Sequence, residues 1–424
     1  MFQRIQAIGF RPWEISALAN RAVIDIHVTE AAFLWMRRDG AVVAPHYRLR
    51  HLARLDRRID GHLEGLRHAG TAGWDATQRR LDQCDPGMVF VVGYLAFHSS
   101  EPDWMRRALQ LGLAVPAFAD AMVASLAWHH DSVNATALRQ LTASPVAAHR
   151  RVALAANTLG AQDPGATLSQ AARADDAALR ARALRAIGDL KRRELLALAQ
   201  GALGDADDAC RYRAARALAL AGDTAAARVA WETARTQPHP SADAIDIAMR
   251  CGEPDWARQE VRALAAQEAT RRLAVEAAGA FGDPRTVPWL IEQMTVPRLA
   301  RVAAEAVATL TGVDLKEQDL AADPPEDESA EASDNPHRQA DANLPWPAVE
   351  AIKDWWSAHQ RSFTPGQRHL AGHPIRGATV LEVLRHGTQR QRRAAAIEWA
   401  RLNEAAPLFP VAANADWQLR SLPA

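Results

Sequence analysis

Lysine is nearly absent from this chain of 424 residues, which contains only Lys191, Lys316 and Lys353. Arginine supplies most of the positive charge, and the formal net charge at pH 7 is zero. A neutral chain has no global basic field that would draw it onto nucleic acid or an anionic membrane. The composition therefore argues against partners that are recognised by net charge alone.

Cysteine is also scarce, and Cys84, Cys210 and Cys251 are widely spaced without a CxxC pair. Such cysteines fit neither a disulfide framework nor a zinc site, and they suit a reducing compartment. The N-terminus lacks the apolar core of a signal peptide. The longest apolar run, Met88–Phe97, is about half the length of a membrane span. We therefore expect a cytoplasmic protein without membrane association, with Cys210 and Cys251 in the core.

Signatures of catalysis are missing as well, because the chain has neither a GxSxG motif nor a Walker A motif. The histidine pair His129–His130 has no carboxylate three or four positions before it. Adjacent helical residues also point about 100° apart, which does not suit a shared metal ion. The sequence therefore predicts no enzyme, no metal, no cofactor and no catalytic residue.

Alanine-rich helical stretches that end at a glycine are abundant. The closing glycines recur roughly every 30 residues, at Gly160, Gly188, Gly222, Gly252, Gly282 and Gly312. Glycine ends a helix readily because left-handed geometry costs it nothing. A second helix of about ten residues then begins at an acidic or proline residue. This pattern predicts an all-α solenoid of helix pairs, with about nine units between residues 48 and 314.

The tetrapeptide EPDW occurs twice, at Glu101–Trp104 and Glu253–Trp256. It falls where the second helix of a pair begins, so we interpret it as punctuation of the repeat. Trp104 and Trp256 both stand four positions after the repeat marker. We therefore expect both to be buried at equivalent sites between helices.

The remaining segments divide the chain further. Residues 1–47 are predicted to form an N-terminal helical cap, which covers the exposed end of a solenoid core. Residues 315–345 are acidic, proline-rich and poor in large apolar side chains, so we expect a disordered insertion. Residues 346–424 include QRRAAAIEWARL, which resembles one more repeat helix. We expect these C-terminal helices to complete the array.

Several of these stretches carry a family resemblance. Arg271–Met294 resembles the short HEAT-like repeat of phycobilin-lyase-type proteins. ARLDRRIDGHLEGLRHAG, LPWP followed by WW, GQRHLAG and GTQRQRRAAAIEWA together resemble an uncharacterised proteobacterial HEAT-repeat family, often encoded near type VI secretion genes. The resemblance implies a protein-binding scaffold or adaptor, accessory or chaperone-like, whose partner is a secreted effector or spike component.

Some HEAT-like proteins are enzymes, and these enzymes are the alternatives to a scaffold function. A di-iron hydroxylase of this class holds its metal with His-Glu dipeptides, and this chain has none. A DNA-glycosylase type grips phosphates with a basic face, so a nucleic-acid-binding protein is the alternative function. Zero net charge and the acidic insertion disfavour it, because phosphate binding needs an uncompensated positive surface.

Arginines recur on the second helices, and Arg106, Arg228 and Arg258 share the register six positions after the marker. Aligned registers in a solenoid form a ridge, and second helices usually line the concave face of a HEAT-like stack. The pattern predicts a partner-binding ridge of Arg106, Arg139, Arg228, Arg258 and Arg262. The alternative is that these arginines pair with neighbouring acids as ordinary surface. If the ridge binds an acidic partner, the acidic insertion would compete for it.

Overall fold

The computed structural model describes residues 12–99, 101–129, 132–235, 241–325, 338–341 and 343–422. The chain packs into two compact units. Unit 1 comprises Met1–Val42, Arg50–Thr167 and Ala412–Leu422, and unit 2 comprises Val43–Leu49, Leu168–Val411 and Pro423–Ala424. These units cross the predicted four-part division of the sequence, because the C-terminal residues 412–422 pack with unit 1.

Helices make up almost all of the described structure. In chain order they are α1 Pro12–Val43, α2 Leu49–Ala69, α3 Thr71–Gln78, α4 Pro86–Ser99, α5 Pro102–Ala114, α6 Pro116–Ala127, α7 Ser132–Thr142, α8 Ala147–Leu159, α9 Ala166–Ala171, α10 Ala177–Asp189, α11 Leu196–Gly201, α12 Asp208–Leu220, α13 Thr224–Ala234, α14 Ala242–Cys251, α15 Pro254–Ala265, α16 Arg271–Phe281, α17 Val287–Gln293, α18 Pro297–Thr311, α19 Arg338–Asp341, α20 Val349–His359, α21 Gly377–His386, α22 Gln389–Leu402 and α23 Ala415–Ser421. Two short antiparallel pairs are added, β1 Ala321–Ala322 with β2 Trp346–Pro347 and β3 His369–Leu370 with β4 His373–Pro374.

Alternate helices stack within unit 1. α4, α6 and α8 pack against one another in order, and α5 and α7 are the second helices that connect them. The apolar run Met88–Phe97 lies on α4 and is buried along its whole length. On α2, apolar residues at helical spacing are also buried, at Leu52, Ile59, Leu63 and Leu66. The helical periodicity read from the sequence is therefore confirmed in this unit.

Unit 2 contains the longer stack. α10, α12, α14, α16 and α18 pack successively, and α11, α13, α15 and α17 are the second helices. We call α10, α12, α14, α16 and α18 the first-helix row. The predicted fold class, an all-α solenoid of HEAT-like helix pairs, is confirmed by this alternate-helix stacking.

The glycine markers do fall at the ends of first helices, but their geometry varies. Gly282 and Gly312 adopt the expected left-handed conformation, with φ of 78° and 74°. Gly160 and Gly252 do not, with φ of −87° and −69°. After Gly252 the chain runs extended into Glu253 and the next helix begins at once. The marker glycines therefore do not share a left-handed conformation. What they share is their position at the end of a first helix.

Trp104 and Trp256 lie in the first turns of α5 and α15, as predicted. Both are half-buried rather than buried, which corrects the expectation of full burial. Trp104 stacks on the buried Trp74, with ring centroids 4.5 Å apart and an interplanar angle of 5°. A ring in the first turn of a surface helix packs with its inner side only, and this explains the incomplete burial.

The predicted insertion at residues 315–345 is ordered at both ends. Leu315, Leu320 and Leu344 are buried, and β1 and β2 join the two ends. Both oxygens of Asp341 accept hydrogen bonds of 2.8 Å from Arg272 of α16. These contacts correct the prediction of disorder at the two ends. Residues 326–337, with Glu326, Asp327, Glu328, Glu331 and Asp334, lie outside the described residues, and disorder there stays a prediction.

The C-terminal helices of unit 2 pack differently from the expectation that they complete the array. QRRAAAIEWARL is α22, and it lies against α12 and α14 of the first-helix row rather than adding a repeat after α18. Ile397 on α22 joins a core cluster with Ala215, Leu220 and Ile247. α22 is therefore a covering helix.

Candidate partner-binding surface

Two predicted ridge arginines belong to unit 1. Arg106 on α5 is exposed and pairs with Asp103 one turn earlier, with Nη2 and Oδ1 3.1 Å apart. Arg139 on α7 is exposed and donates a 3.0 Å hydrogen bond to Thr136. Both make local contacts of the kind that ordinary surface arginines make.

The other three ridge arginines belong to unit 2. Arg228 on α13 is exposed and lines an open depression of about 720 Å³ with Asp208, Arg211, Ala225, Val229, Glu232 and Thr233. Arg258 on α15 pairs with Asp255 and, at 3.4 Å, with Asp283, and its guanidinium lies over the Phe281 ring. Arg262, one turn further along α15, is exposed. The partner-binding ridge stays a prediction.

A different set of charged residues runs along the first-helix row. Each helix of the row carries charged side chains at spacings of three or four, which places them on one helical face. They are Arg182, Arg185 and Asp189 on α10, Arg213 and Arg216 on α12, Asp243, Asp246 and Arg250 on α14, Arg272 and Glu276 on α16, and Arg301 and Glu305 on α18. The period of this charged face matches the repeat.

Arg216 links three neighbouring helices of the row. Its Nη1 lies 2.5 Å from an oxygen of Asp189 on α10, and its Nε lies 2.8 Å from an oxygen of Asp243 on α14. The Arg216 side chain is 1% exposed. Tyr212 donates a further hydrogen bond of 3.0 Å to Asp243. The charges therefore join adjacent repeats in a fixed register.

Burial and charge oppose each other at these groups. Burial alone would raise the pKa of Asp189, but the guanidinium groups of Arg216 and Arg185 hold it below its ordinary value. The same balance lowers the pKa of Asp243. Burial, together with the charges of Arg185 and Arg213, lowers the pKa of Arg182 to about 9. The α10 and α12 part of the row is thus electropositive.

The α14 part of the row is bound by the chain's own C-terminal segment. Glu398 of α22 is fully buried and pairs with Arg250, 3.6 Å away, and with Arg368 and Arg401. Arg393, also on α22, lies 3.0 Å from Asp246 of α14. Burial would raise the pKa of Glu398, but these arginines hold it below its ordinary value.

The motif GQRHLAG, residues 366–372, caps the C-terminal ends of three first helices. The backbone N–H groups of His369, Ala371 and Gly372 donate to the carbonyls of Gly282, Thr309 and Leu310 at 2.8, 2.7 and 2.9 Å. Arg368 donates to the carbonyls of Phe281 and Arg250 at 2.8 and 3.3 Å. Helix C-termini attract cations and offer unpaired carbonyls. This segment, which includes β3 and the turn at Ala371 and Gly372, is therefore held mainly by main-chain groups of the row.

The side chains with possible catalytic or metal-binding chemistry include the three cysteines. Cys210 and Cys251 are buried in the core, as expected, and burial raises the pKa of each thiol to about 12. Cys84 is half-buried, and burial raises its pKa as well. Among the described residues no three His, Cys, Asp or Glu side chains gather as metal ligands. His130, half of the histidine pair, lies outside the described residues.

The stacked helix pairs define the fold class as an all-α solenoid of HEAT-like helix pairs. Residues 165–250, from α9 to α14, match the family model described as HEAT repeats. No curated protein and no solved structure matches the chain. None of the helices within the described ranges is long and apolar enough to cross a membrane.

Sequence reasoning missed the charged face of the first-helix row. It weighed the arginines of the second helices and treated the first helices as apolar core. The available signal was the recurrence, every repeat, of charged residues three or four apart inside Ala-rich helices, as at Arg213 and Arg216 or Asp243 and Asp246.

Proposed function

We propose that this protein is a non-enzymatic scaffold or adaptor that binds another protein through the charged face of the first-helix row. HEAT repeats commonly serve as protein-interaction scaffolds, and the match covers α10, α12 and α14 of the row. Stacked repeats present chemical groups at fixed intervals, which suits recognition of an extended chain.

One observation carries the proposal, namely that the row already binds polypeptide. Residues 366–372 dock on the ends of α14, α16 and α18 through backbone hydrogen bonds, and Glu398 inserts a carboxylate beside Arg250. Main-chain contacts give affinity and charge pairs give register in peptide recognition. The same groups are presented by neighbouring repeats, so the surface has the chemistry that a second polypeptide requires.

The partner class rests on the family resemblance. GQRHLAG and GTQRQRRAAAIEWA, which carry much of that resemblance, are the residues that cover the row. We propose that the partner is a secreted effector or spike component of a type VI secretion system, and that the protein acts as its cytoplasmic accessory or chaperone-like adaptor.

Site-specific photo-crosslinking in the native host tests the function. A photo-reactive amino acid replaces Arg185 on the row in one variant and Arg139 on a second helix in the other. The proposal expects one defined protein to crosslink at position 185 and not at position 139. The complex with that protein, once purified, should survive gel filtration.

The alternative function makes a different prediction for the same protein. A nucleic-acid-binding protein would retain duplex DNA, with an affinity that falls steeply with salt. Specific binding of duplex DNA, together with no protein crosslink at either position, would overturn the scaffold proposal.

A further inference from the structure

The α10 and α12 part of the first-helix row has an excess of positive charge. Three guanidinium groups, of Arg185, Arg213 and Arg216, share the two carboxylates Asp189 and Asp243. Arg216 is buried and forms ion pairs with both carboxylates. The excess therefore resides on the other arginines of the cluster.

Arg185 and Arg213 are the accessible members of this cluster. The side chain of Arg185 is 39% exposed and lies 3.2 Å from Asp189, a carboxylate that also binds Arg216. The side chain of Arg213 is 28% exposed and reaches Asp243 only at 3.5 Å. Each surface arginine thus shares its acid with Arg216, which holds that acid more closely.

The chain's own C-terminal segment, which includes α22, packs on the first-helix row and places charged side chains against α14. Arg393 and Glu398 of α22 pair with Asp246 and Arg250, both on α14. Beside α10 the segment makes a main-chain contact, in which the Leu408 N–H donates to the Asp189 carbonyl at 2.7 Å, and an exposed ion pair, in which Glu404 lies 2.9 Å from Arg193. Lys191, just after α10, donates to the Asn403 carbonyl at 2.9 Å. At α14 a carboxylate of the segment, Glu398, pairs with an arginine of the row, Arg250. The arginines of α10 and α12 could bind a carboxylate in the same way.

We infer that Arg185 and Arg213 form a docking site for a carboxylate-rich peptide segment of the partner protein. Charge complementarity identifies the kind of segment that binds here. The arginine cluster has fewer carboxylates than guanidinium groups, and a segment that carries Asp and Glu would supply the missing carboxylates. Arginine suits this role because its planar fork binds carboxylate in a bidentate manner. This inference rests on the proposed function and names the chemistry of the segment bound.

A peptide fits this site better than a nucleic acid does. The cationic area is confined to two helices and flanked by Asp243 and Asp246. Duplex DNA carries a phosphate charge every ~1.7 Å along its axis and is held by many contacts at once. The adjacent occupant of the row is itself a polypeptide, with Glu398 as its buried acidic residue.

Fluorescence anisotropy with the full-length protein tests the docking site. The probe is a fluorescein-labelled hexaglutamate peptide, and hexaglutamine is its uncharged control. The wild-type protein should bind hexaglutamate at low ionic strength and release it as salt is added. An Arg185→Gln/Arg213→Gln variant should bind about tenfold more weakly, since two partly exposed ion pairs to the peptide are lost. The matched control is Arg106→Gln/Arg139→Gln, which should change affinity less than about twofold.

Three results would overturn the inference. They are equal binding of hexaglutamine, an equal loss of affinity in the control variant, and tighter binding of a duplex DNA than of hexaglutamate at the same salt. If the row variant does not fold, a photo-reactive hexaglutamate on the wild-type protein replaces it. Crosslinks confined to α10 and α12 support the site, and crosslinks confined to other helices contradict it. A protein partner that crosslinks at position 185 while hexaglutamate fails to bind would leave the scaffold function standing and remove only this inference.

Discussion

Arg216 of α12 and Asp189 of α10 form a buried ion pair between adjacent repeats, with 1% and 7% of their side chains exposed. The pair joins the first two helices of a charged face that repeats along the first-helix row. Replacing Arg216 leaves the buried Asp189 with the more exposed Arg185 as its remaining counter-charge, which is more costly than losing a surface pair.

Arg216→Ala should therefore destabilise the chain by about 3–5 kcal/mol. Urea unfolding followed by circular dichroism measures the effect. Arg106→Ala removes an exposed pair and should cost no more than about 1 kcal/mol. Equal small losses in both variants would mean that the buried pair contributes little to stability.

Acid should weaken the network through Asp243. Burial would raise the pKa of this carboxyl, but Arg216 holds it below the ordinary 3.8. Its contribution to stability is thus fully present above pH 3.8 and is lost as the pH falls through the lower folded pKa. Asp243→Asn should be less stable than wild type at pH 7, with a shallower loss of stability below about pH 4. Parallel stability curves for the two proteins would contradict the assignment.

Gly282 has a structural role that its helix-ending position alone does not require. Its φ of 78° is strained for other residues, and a Cβ there would collide with the His369 carbonyl oxygen. Gly282→Ala should cost at least about 1–2 kcal/mol from the left-handed backbone alone, and more from displacing residues 366–372. Gly61→Ala is the matched control, because nothing lies near its Cβ position in the middle of α2. That change should stabilise the chain by about 0.5–1 kcal/mol. Thermal melts of both variants measure the two effects, and equal melting temperatures for the two variants would contradict the role of Gly282.

The stack of Trp104 on Trp74 sets an intermediate cost. Removal of a fully buried tryptophan costs about 3–5 kcal/mol, but Trp104 is half-buried. Trp104→Ala should cost about 1–3 kcal/mol, which includes the loss of the aromatic pair. A change below about 0.5 kcal/mol would show that the stack adds nothing to the fold.

The C-terminus should be required for unit 1. Arg38 donates to the carbonyls of Ala412 and Ala413, both at 2.7 Å, and pairs with the buried Asp56. Asp56 in turn accepts a 2.7 Å hydrogen bond from the Ala415 N–H. Truncation after Val411 removes these hydrogen bonds from the buried Arg38 and Asp56, which keep only each other, and should lower the melting temperature by several degrees. A truncated protein with an unchanged melting curve would contradict the role of this contact.

Most of the fold could be predicted from the periodicity of the sequence. Glycines at helix ends and apolar residues at helical spacing placed the stacked pairs, because both are local signals that repeat. EPDW was correctly interpreted as punctuation. Pro254 opens α15, Glu253 caps it, and Asp255 pairs with Arg258.

Long-range contacts were beyond the sequence pattern. α22 has the alanine-rich pattern of a repeat helix, and only its tertiary contacts place it across α12 and α14. Leu315, Leu320 and Leu344 are too sparse to signal order, yet they pack and order the ends of the insertion. The spacing of the charged residues is visible in the sequence, but the ion pairs that join one helix of the row to the next link residues about one repeat apart, as Arg216 and Asp189 do.

Hydrogen–deuterium exchange of the full-length protein, with and without its crosslinked partner, tests the central claim most directly. The account predicts slower exchange in α10 and α12, around Arg185 and Arg213, and little change in α13 and α15. Protection confined to α13 and α15, around Arg228, Arg258 and Arg262, would place the partner on the second helices and contradict the assignment of the binding surface to the first-helix row.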